Sequence, residues 1–245
     1  MKKVDMLFEL SHPARISMIR LAAARPVWHR DFMQASGLPP SEVTRHSKRL
    51  IHNGFIKRNR DGSFEITRLG CIMMNRLDDF EFISFHGSYF EHHDVSDIPT
   101  GFDMFQMLRK CQLLNETMST VNAILRINAE SRDFINCIMD EFNDAFVSIQ
   151  IEKLGSGLAI NMLTRPGIRI PSEYIENRNM GIIMRKIQKV PFFLIGSERE
   201  ALICLKESGG RMDYSMAFIS SDSRFLEWCG ELFEHYWVRG KDLGL

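Results

Sequence analysis

The chain has 245 residues, of which 44% are hydrophobic and 25% charged, and its formal net charge at pH 7 is zero. This composition is typical of a soluble globular protein. The absence of any apolar run of about 18 residues excludes a membrane-spanning helix, and the first residues lack the apolar core of a signal peptide. The five cysteines form no Cys-x-x-Cys pair, so we expect reduced thiols in the cytoplasm and neither a disulfide framework nor a zinc site.

Charge is distributed unevenly along the chain. Residues 1–70 carry 13 Lys+Arg and 6 Asp+Glu, a net charge of +7, whereas residues 71–245 carry 18 and 25, a net charge of −7. A basic segment before an acidic body indicates that the first segment contacts phosphate and the second does not. The length is sufficient for one small and one medium domain.

Two short helices are predicted before residue 37. Ser11 or His12 can cap a helix that has Pro13 in its first turn, where the missing N–H costs nothing. Pro26 ends this helix, and its inward side is predicted to consist of Ile16, Ile19 and Ala23. A second helix follows over residues 27–35, and Ser36-Gly37 makes the turn into a third.

The third helix begins near Ser41, whose hydroxyl is a plausible N-cap for the first turn. Asn53-Gly54 ends the helix, because glycine tolerates the left-handed conformation at this position. The residues expected to pack inward are Val43, Leu50 and Ile51.

The opposite face of this third helix is polar and basic. Thr44, Arg45 and Lys48 lie at helical spacing, and Ser41 and Arg49 flank them. An α-helix fits the major groove of DNA, where Arg, Lys and Thr side chains bond to base edges or phosphates. We therefore predict DNA contacts for Ser41, Thr44, Arg45, Lys48 and Arg49.

A hairpin is predicted directly after this helix. Residues 55–58 and 63–67 alternate between polar and apolar side chains as strands do, and Asp61-Gly62 between them is a strong turn signal. Basic residues gather near this turn, and we expect them to bind the flanking DNA backbone or minor groove: Lys57, Arg58 and Arg60. Helix, strand, basic turn and strand in this order indicate a winged helix-turn-helix, and the alternative is a solvated helix followed by a charged surface hairpin.

Residues 69–85 are predicted to form a further helix, with apolar residues at helical spacing. Its apolar stripe either forms a dimer interface or packs against its own domain, and the sequence leaves both alternatives open. Cys71 near its start could be a redox sensor, because a helix dipole lowers the pKa of a thiol. The chain has no resolving cysteine nearby, which argues against this role.

Residues 86–101 are predicted to be an irregular connector that packs on the second domain. It contains the densest group of potential metal ligands in the chain: His86, His92, His93 and Asp94. Adjacent histidines point apart on any regular element, and the spacing matches no standard site, so hydrogen-bonded structural histidines are the preferred interpretation and no metal is expected.

The remaining residues, 102–245, alternate between strand and helix patterns, which indicates an α/β layer with a partly parallel sheet. The final helix has Asp222 as its predicted N-cap and an aromatic stripe that is typical of a core. Helices are predicted over residues 118–129, 143–154, 172–179 and 223–238, and strands over 102–110, 133–139, 158–163, 182–187, 191–196, 201–206 and 214–219.

Five segments together resemble the archaeal methanogenesis-regulatory family of winged helix-turn-helix transcription regulators. They are residues 11–16, 45–50, 62–70, 81–86 and 228–237. The winged half is shared with many ArsR-like regulators, and the specific part is the Phe85-His86 connector with the aromatic C-terminal motif. The resemblance implies a homodimeric DNA-binding regulator with an α+β fold, in which a winged helix-turn-helix domain precedes an α/β domain that senses or assembles. That second domain is similar to the effector domain of sugar-responsive archaeal regulators, a relative of the phospholipase D fold.

The phospholipase D resemblance does not extend to catalysis. Such enzymes need a His-x-Lys motif with an aspartate further on, and the only such motif, His46-Ser47-Lys48, lies on the predicted recognition helix with Asn53 in place of the aspartate. No nucleotide-binding loop or hydrolase serine motif occurs either.

We therefore expect a transcription regulator and not an enzyme, with no cofactor and with a small-molecule effector of unknown identity. The alternative is a protein-interaction or effector-binding module whose winged domain contacts protein.

Overall fold

The computed structural model describes residues 3–243, and from residue 6 onwards it describes their side chains. The chain divides into two compact units, Met1–Phe85 and His86–Leu245. No helix within the described residues is long and apolar enough to cross a membrane. The first unit consists of α1 Lys3–Leu10, α2 Pro13–Ala24, α3 His29–Ser36, α4 Pro40–His52, β1 Ile56–Arg58, β2 Phe64–Ile66 and α5 Arg68–Phe85.

Local capping chemistry sets the start of α2. The Nδ1 atom of His12 accepts a hydrogen bond from the backbone N–H of Ala14 at 3.3 Å, and Pro13 occupies the first turn, as predicted. The inward side differs by one position from the prediction, because Ala22 is buried whereas Ala23 is exposed. The predicted second helix begins later than expected, at His29.

Val27 lies outside α3 because its backbone pairs with the hairpin. Its N–H donates to the carbonyl of Phe64 at 3.0 Å, and its carbonyl accepts from the N–H of Phe64 at 2.6 Å. A residue whose two backbone groups are used by a strand cannot also begin a helix. The unit's core surrounds this link and contains Ile19, Phe32, Leu50, Phe55 and Phe64.

The predicted capping role of Ser41 is wrong. The helix α4 begins one residue earlier, at Pro40, and Pro39 is its N-cap without a side-chain hydrogen bond. Proline suits the first helical position, which Pro40 occupies, because its φ angle is already helical and it lacks the N–H that would be unsatisfied. Ile51 was expected to pack inward but is 37% exposed. His46 and Ser47 are buried instead, together with Val43 and Leu50.

The hairpin and its junction with α5 agree with the predicted turn chemistry. β1 and β2 are antiparallel with Lys57 opposite Glu65. Gly54 after α4 and Gly62 in the hairpin turn have φ angles of 74° and 84°, which glycine adopts without steric cost. Thr67 then connects the hairpin to α5, because its hydroxyl donates to the carbonyls of Gly54 and Phe55 and accepts from the N–H of Gly70.

The second unit is a mixed α/β structure around an eight-stranded sheet. Its helices are α6 Gly87–His92, α7 Met104–Leu108, α8 Thr117–Glu130, α9 Asp144–Leu154, α10 Ser172–Glu176 and α11 Ser223–Trp237. Its strands are β3 His93–Asp94, β4 Gln112–Leu114, β5 Phe134–Ile138, β6 Ala159–Thr164, β7 Ile182–Lys186, β8 Phe193–Gly196, β9 Ala201–Cys204, β10 Lys206–Glu207, β11 Ala217–Ser220 and β12 Lys241–Asp242.

The large sheet is partly parallel, as predicted. Its strand order is β12-β7-β6-β5-β8-β9-β11-β4; β5, β6 and β7 are parallel, and the other pairs are antiparallel. α8 packs on α9 and α9 on α10, while α11 packs on β5 and β8 together with α7. Asp222 caps α11 by accepting from the N–H groups of Arg224 and Phe225, which confirms its predicted role.

Two predicted segments of this unit are wrong. Residues 102–110 were expected to form a strand but contain the helix α7, and residues 86–101 contain α6 and β3 where an irregular connector was expected. α7 packs against α11, and a short buried helix and a short buried strand have similar apolar composition. β3 is ordered because it pairs with β10, whose residues lie more than a hundred positions later in the chain.

Candidate nucleic-acid interface

The solvent-facing side of α4 presents the polar residues that the sequence predicted there. Ser41, Arg45 and Lys48 are exposed and Thr44 is half-buried. Thr44 donates its hydroxyl hydrogen to the carbonyl of Pro40 at 2.8 Å, which leaves its oxygen free to accept. The helix therefore offers a narrow row of hydroxyl and cationic groups along one side.

Arg45 is held on this row by a carboxylate of the same helix. Its Nη2 atom lies 2.5 Å from Oε2 of Glu42, one turn earlier. The Arg45 side chain is 63% exposed, so water screens this pair and its net contribution to stability is small. A phosphate or a guanine edge could replace the carboxylate as the partner of Arg45 at little cost.

Arg49 lies at the edge of the row and is bound to the body of the first unit. Its Nε atom lies 3.1 and 3.2 Å from the two carboxylate oxygens of Glu9, and its Nη2 atom also contacts Oε1. The Glu9 side chain is buried, and it also pairs with the buried guanidinium of Arg15 at 3.2 Å. Of the five α4 residues predicted to contact DNA, Arg49 is therefore the one that is already bound to a buried carboxylate.

The three basic residues of the hairpin differ in their surroundings. Lys57 pairs with Glu65 on the opposite strand at 2.6 Å, and this hydrogen bond lowers the pKa of Glu65. The guanidinium of Arg58 lies 5.8 Å from the centre of the Phe64 ring. Arg60 is exposed at the turn, and among the side chains of residues 6–243 neither Arg60 nor Lys48 has an ion-pair partner. These two residues are thus the cations most available to a phosphate.

A pair of histidines packs beneath α4, and sequence reasoning missed it. The rings of His12 and His46 are 4.6 Å apart, and His46 is buried with its Nδ1 atom lacking a hydrogen-bond partner among the described residues. Burial, and then the positive field of His12, Arg15 and Arg45, lower the pKa of His46. His46 thus packs as a neutral ring between α4 and the start of α2. Helical periodicity, which puts residue 46 on the same side as Val43 and Leu50, is the signal that could have identified it.

The histidines of residues 86–93 are not arranged around a common point. His93 is buried, with Nδ1 2.8 Å from the carbonyl of Tyr89 and Nε2 3.0 Å from Oδ2 of Asp213, and its ring stacks on Tyr89. His92 is exposed. Among the described residues, no group of three or more His, Cys, Asp and Glu side chains could hold a metal ion.

Cys71, the candidate redox sensor, and Cys229 of the final helix lie in different surroundings. Cys71 is exposed on α5, whereas Cys229 is buried in α11. Burial raises the pKa of Cys229 well above its usual value, and a protonated thiol is a poor nucleophile. The aromatic stripe of α11 is largely core, as expected, because Phe225, Trp228, Leu232 and Phe233 are buried.

Comparisons with known proteins found no matching family model and no matching curated protein. Solved structures with a similar course of the chain include TrmBL2, an archaeal chromatin protein whose structure shows a novel mode of DNA binding, with 13% identity over 89% of this chain and 88% of that one and a TM-score of 0.47. Nuc from Salmonella typhimurium, a phospholipase D family member, has 12% identity over 50% of this chain and 89% of its own, with a TM-score of 0.39. HmgR from Pseudomonas aeruginosa has 10% identity over 95% and 97%, with a TM-score of 0.27.

Proposed function

We propose that the first unit is a winged helix-turn-helix that binds double-stranded DNA, and that the chain is a cytoplasmic transcription regulator. The observation that carries this proposal is the junction of α4 with the hairpin. An exposed row of hydroxyl and cationic groups on a helix is followed directly by a hairpin whose turn carries Arg60, in a segment of net charge +7. In this arrangement α4 enters the major groove, and the hairpin contacts the flanking backbone.

The contributions of the predicted residues differ in kind. Arg45 and Lys48, with Ser41 and Thr44, face the base edges and nearest phosphates. Arg60 supplies a sequence-independent phosphate contact, and Lys57 and Arg58 add to it once Lys57 exchanges Glu65 for phosphate. Arg49 contributes least, since leaving Glu9 would remove one of the two guanidinium partners of a buried carboxylate.

The second unit is proposed to be a non-catalytic effector or assembly domain of phospholipase D-like architecture. The His46-Ser47-Lys48 motif lies on α4 of the first unit, so it is not part of the α/β unit in which such chemistry would take place. An effector bound to the second unit would change the separation of two DNA-binding units in a dimer, and so the affinity for a two-part operator.

The direct test is binding of the full chain to a labelled fragment of its own promoter, titrated across salt with unrelated DNA as competitor. A protected, symmetric site that survives the competitor is the expected result. Weak binding with a steep salt slope and no protected site would contradict the proposal, because that behaviour belongs to a merely basic surface.

A second candidate function is a protein-interaction module that uses the same surface. The ion pairs of Arg45, Arg49 and Lys57 with Glu42, Glu9 and Glu65 favour it, because they engage three of the six predicted cationic contacts within the unit. The promoter experiment separates the two candidates, since a protein-binding surface gives no protected DNA site.

Replacing Arg45 with alanine should weaken specific DNA binding by about 1–3 kcal/mol, the usual contribution of an arginine that reads a base. The effect arises because Arg45 is the longest exposed donor on the row and has only a screened partner. Competition binding against operators with single base changes measures it, and the variant should lose discrimination at one base position.

Arg60→Ala is the matched comparison for Arg45→Ala. It should weaken binding to all sequences alike and reduce the salt slope by about one unit, since it removes a phosphate contact. If Arg60→Ala changed discrimination and Arg45→Ala did not, the roles of helix and hairpin would be reversed and the proposed docking would be wrong.

The helix α5 is proposed to form the interface of a homodimer. Leu69, Ile72 and Phe80 lie along one side of it and are 38%, 59% and 62% exposed. Side chains at this spacing share one face of an α-helix, and Arg76, which lies on the same face between Ile72 and Phe80, pairs with Asp79. A parallel or antiparallel pairing of two such faces would bury them and place two DNA-binding units on one operator.

Phe80→Glu should raise the dissociation constant of the dimer by about tenfold or more, because the charge would be buried in an apolar seam. Light scattering across a concentration series measures it. Met118→Glu is the control, since Met118 is 67% exposed on α8 of the second unit. Equal effects of the two variants, or a wild-type chain that is monomeric at all concentrations, would exclude this interface.

A further inference from the structure

The second unit contains a basic cavity of about 570 Å³ at one edge of its large sheet. Four of its lining residues are cationic: Lys186, Lys189, Arg239 and Lys241. None of its lining residues is acidic. This concentration of positive charge stands out because residues 71–245 carry a net charge of −7.

The cavity lies at the carboxyl ends of two parallel strands. β6 ends at Thr164, and Pro166 from the following loop lines the cavity. β7 ends at Lys186, which lines the cavity together with the loop that follows it. In open α/β sheets, ligands bind outside the carboxyl ends of the strands, where the loops diverge. The cavity thus lies beyond the carboxyl ends of parallel strands, which is the end of such sheets at which small molecules generally bind.

The positive charges in the cavity are mostly uncompensated. Among the described side chains, neither Lys186, Arg239 nor Lys241 takes part in an ion pair. Lys189 lies 2.8 Å from Asp97, whose hydrogen bond raises the pKa of Lys189. The carboxylates of Asp97 and Asp94 both act on Lys189, and within the described residues neither forms an ion pair with the other three cations.

Two of these cations stand directly opposite each other in the sheet. β12 pairs with β7 so that Lys241 is the register partner of Lys186. Like charges at directly opposed positions destabilise a strand pair. A bound anion would remove this repulsion, and without one the arrangement costs stability.

The backbone around these cations is closely packed. A Cβ atom on Gly240 would lie 2.7 Å from Leu163 and 2.9 Å from Arg185, so only glycine lets the chain pass this close to β6 and β7. Beside it, the guanidinium of Arg185 is fixed 4.4 Å from the centre of the Trp237 ring and bonds to Asp242. Arg239 and Lys241 flank Gly240, so both side chains extend from a turn whose backbone is held in place.

From this geometry we propose that the cavity binds a phosphorylated small molecule. A phosphate group offers several oxygens and a charge of about −1.5 to −2 at neutral pH, which matches three unpaired cations that converge from β7, β12 and the end of α11. Lysine binds such a group as a point charge and arginine through paired N–H donors. The proposal concerns the second unit alone and does not depend on DNA binding by the first.

The test is isothermal titration of the full chain with inorganic pyrophosphate at constant ionic strength. Wild-type chain should bind one pyrophosphate per chain, and Lys186→Gln should weaken this binding by about tenfold or more, because it removes a charge-assisted contact. Lys241→Gln, at an exposed position, should act in the same direction and keeps the test valid if Lys186→Gln does not fold. Pyrophosphate should also raise the melting temperature of the wild-type chain.

Three further variants make the site identifiable. Lys110→Gln removes an exposed lysine of the same unit outside the cavity and should leave the affinity unchanged. Asp97→Asn should tighten binding several-fold, because it removes the carboxylate that is paired with Lys189 while the Asp97 carbonyl keeps its hydrogen bond from Tyr236. Arg60→Gln should have no effect. The proposal is overturned if pyrophosphate does not bind, if Lys186→Gln and Lys241→Gln behave like Lys110→Gln, or if only Arg60→Gln reduces binding.

Discussion

Replacing Glu9 with glutamine should destabilise the first unit by about 3 kcal/mol, the lower end of the range for breaking a buried ion pair. The Glu9 and Arg15 side chains are each 4% exposed, and their charged groups lie 3.2 Å apart. Glutamine has nearly the same shape, so the loss comes from the charge and not from packing. Arg15 keeps its bonds to the carbonyls of Glu9 and Phe8 at 2.7 and 2.6 Å, which is why we do not expect the upper end of the range.

Hydrogen exchange followed by mass spectrometry measures this loss unit by unit. Amides of α2 and α4 should exchange faster in Glu9→Gln, while those of β5 and β8 in the second unit should be unchanged. Glu81→Gln is the matched control, because Glu81 also pairs with an arginine, Arg20 at 2.6 Å, but its side chain is 51% exposed. Exposed pairs contribute only about 0–1 kcal/mol. Equal protection in the two variants would mean that the buried charge of Glu9 does not hold the unit together.

The same substitution tests the arrangement of the proposed DNA-binding surface. Without the Glu9 charge, Arg49 on α4 loses its partner and can reach a phosphate, so the salt slope of DNA binding should increase by about one unit. Arg49→Ala in the wild-type background should change DNA binding little. A strong loss of binding in Arg49→Ala would show that Arg49 exchanges Glu9 for DNA, and the ranking of α4 residues proposed above would be wrong.

Elements whose ends depend on neighbouring residues could be predicted from the sequence. The start of α2 at Pro13, the end of α4 before Gly54 and the cap of α11 by Asp222 each rest on hydrogen bonds or φ angles within a few residues. Capping and turn chemistry is local, so a short segment carries all the information. The predicted strands over residues 133–139 and 158–163 are also confirmed, because their apolar runs are short and bounded by turn residues.

Elements that depend on distant partners could not be predicted in this way. β3 forms because it pairs with β10. Val27 lies outside α3 because its backbone binds Phe64. The pattern of residues 102–110 suits either a short strand or a short buried helix, and packing against α11 decides for the helix. In each case the deciding contact joins residues far apart in the chain, and no local pattern records it.

In the candidate interface, too, features set by local pattern could be predicted and contacts between distant residues could not. Helical periodicity correctly places Thr44, Arg45 and Lys48 on one side of α4, because side-chain direction follows from 3.6 residues per turn. The binding of Arg49 by Glu9 joins residues 40 positions apart, and periodicity carries no information about it. The basic cavity of the second unit was missed for the same reason, since its four cations come from β7, the loop after it, the end of α11 and β12.

Replacing Gly70 with alanine should destabilise the first unit by about 3 kcal/mol, the upper end of the usual cost of overpacking. A Cβ atom at this position would lie 2.2 Å from the carbonyl oxygen of Phe55 and 2.6 Å from Cγ1 of Ile66. The Phe55 oxygen cannot retreat, because it accepts from the N–H of Thr67 at 3.0 Å. The start of α5 would have to move away from the hairpin, and the Thr67 hydroxyl would lose its bond to the Gly70 N–H.

Gly230→Ala is the matched control for Gly70→Ala, since it makes the same substitution inside a helix of the second unit. Apart from its chain neighbours and the backbone of its own helix, no atom lies within 4 Å of a Cβ at Gly230, and alanine in a helix interior is favoured over glycine by about 0.5–1 kcal/mol. Gly70→Ala should therefore lower the free energy of unfolding of the first unit, and Gly230→Ala should raise that of the second. Urea titrations followed by hydrogen exchange measure the two changes separately. Because α5 would shift against the hairpin, Gly70→Ala should also weaken DNA binding at temperatures where the unit is still folded. A Gly70→Ala chain as stable as wild type would show that α5 and the hairpin are not packed as closely as described. It would also contradict a rigid junction that fixes the position of Arg60 relative to α4.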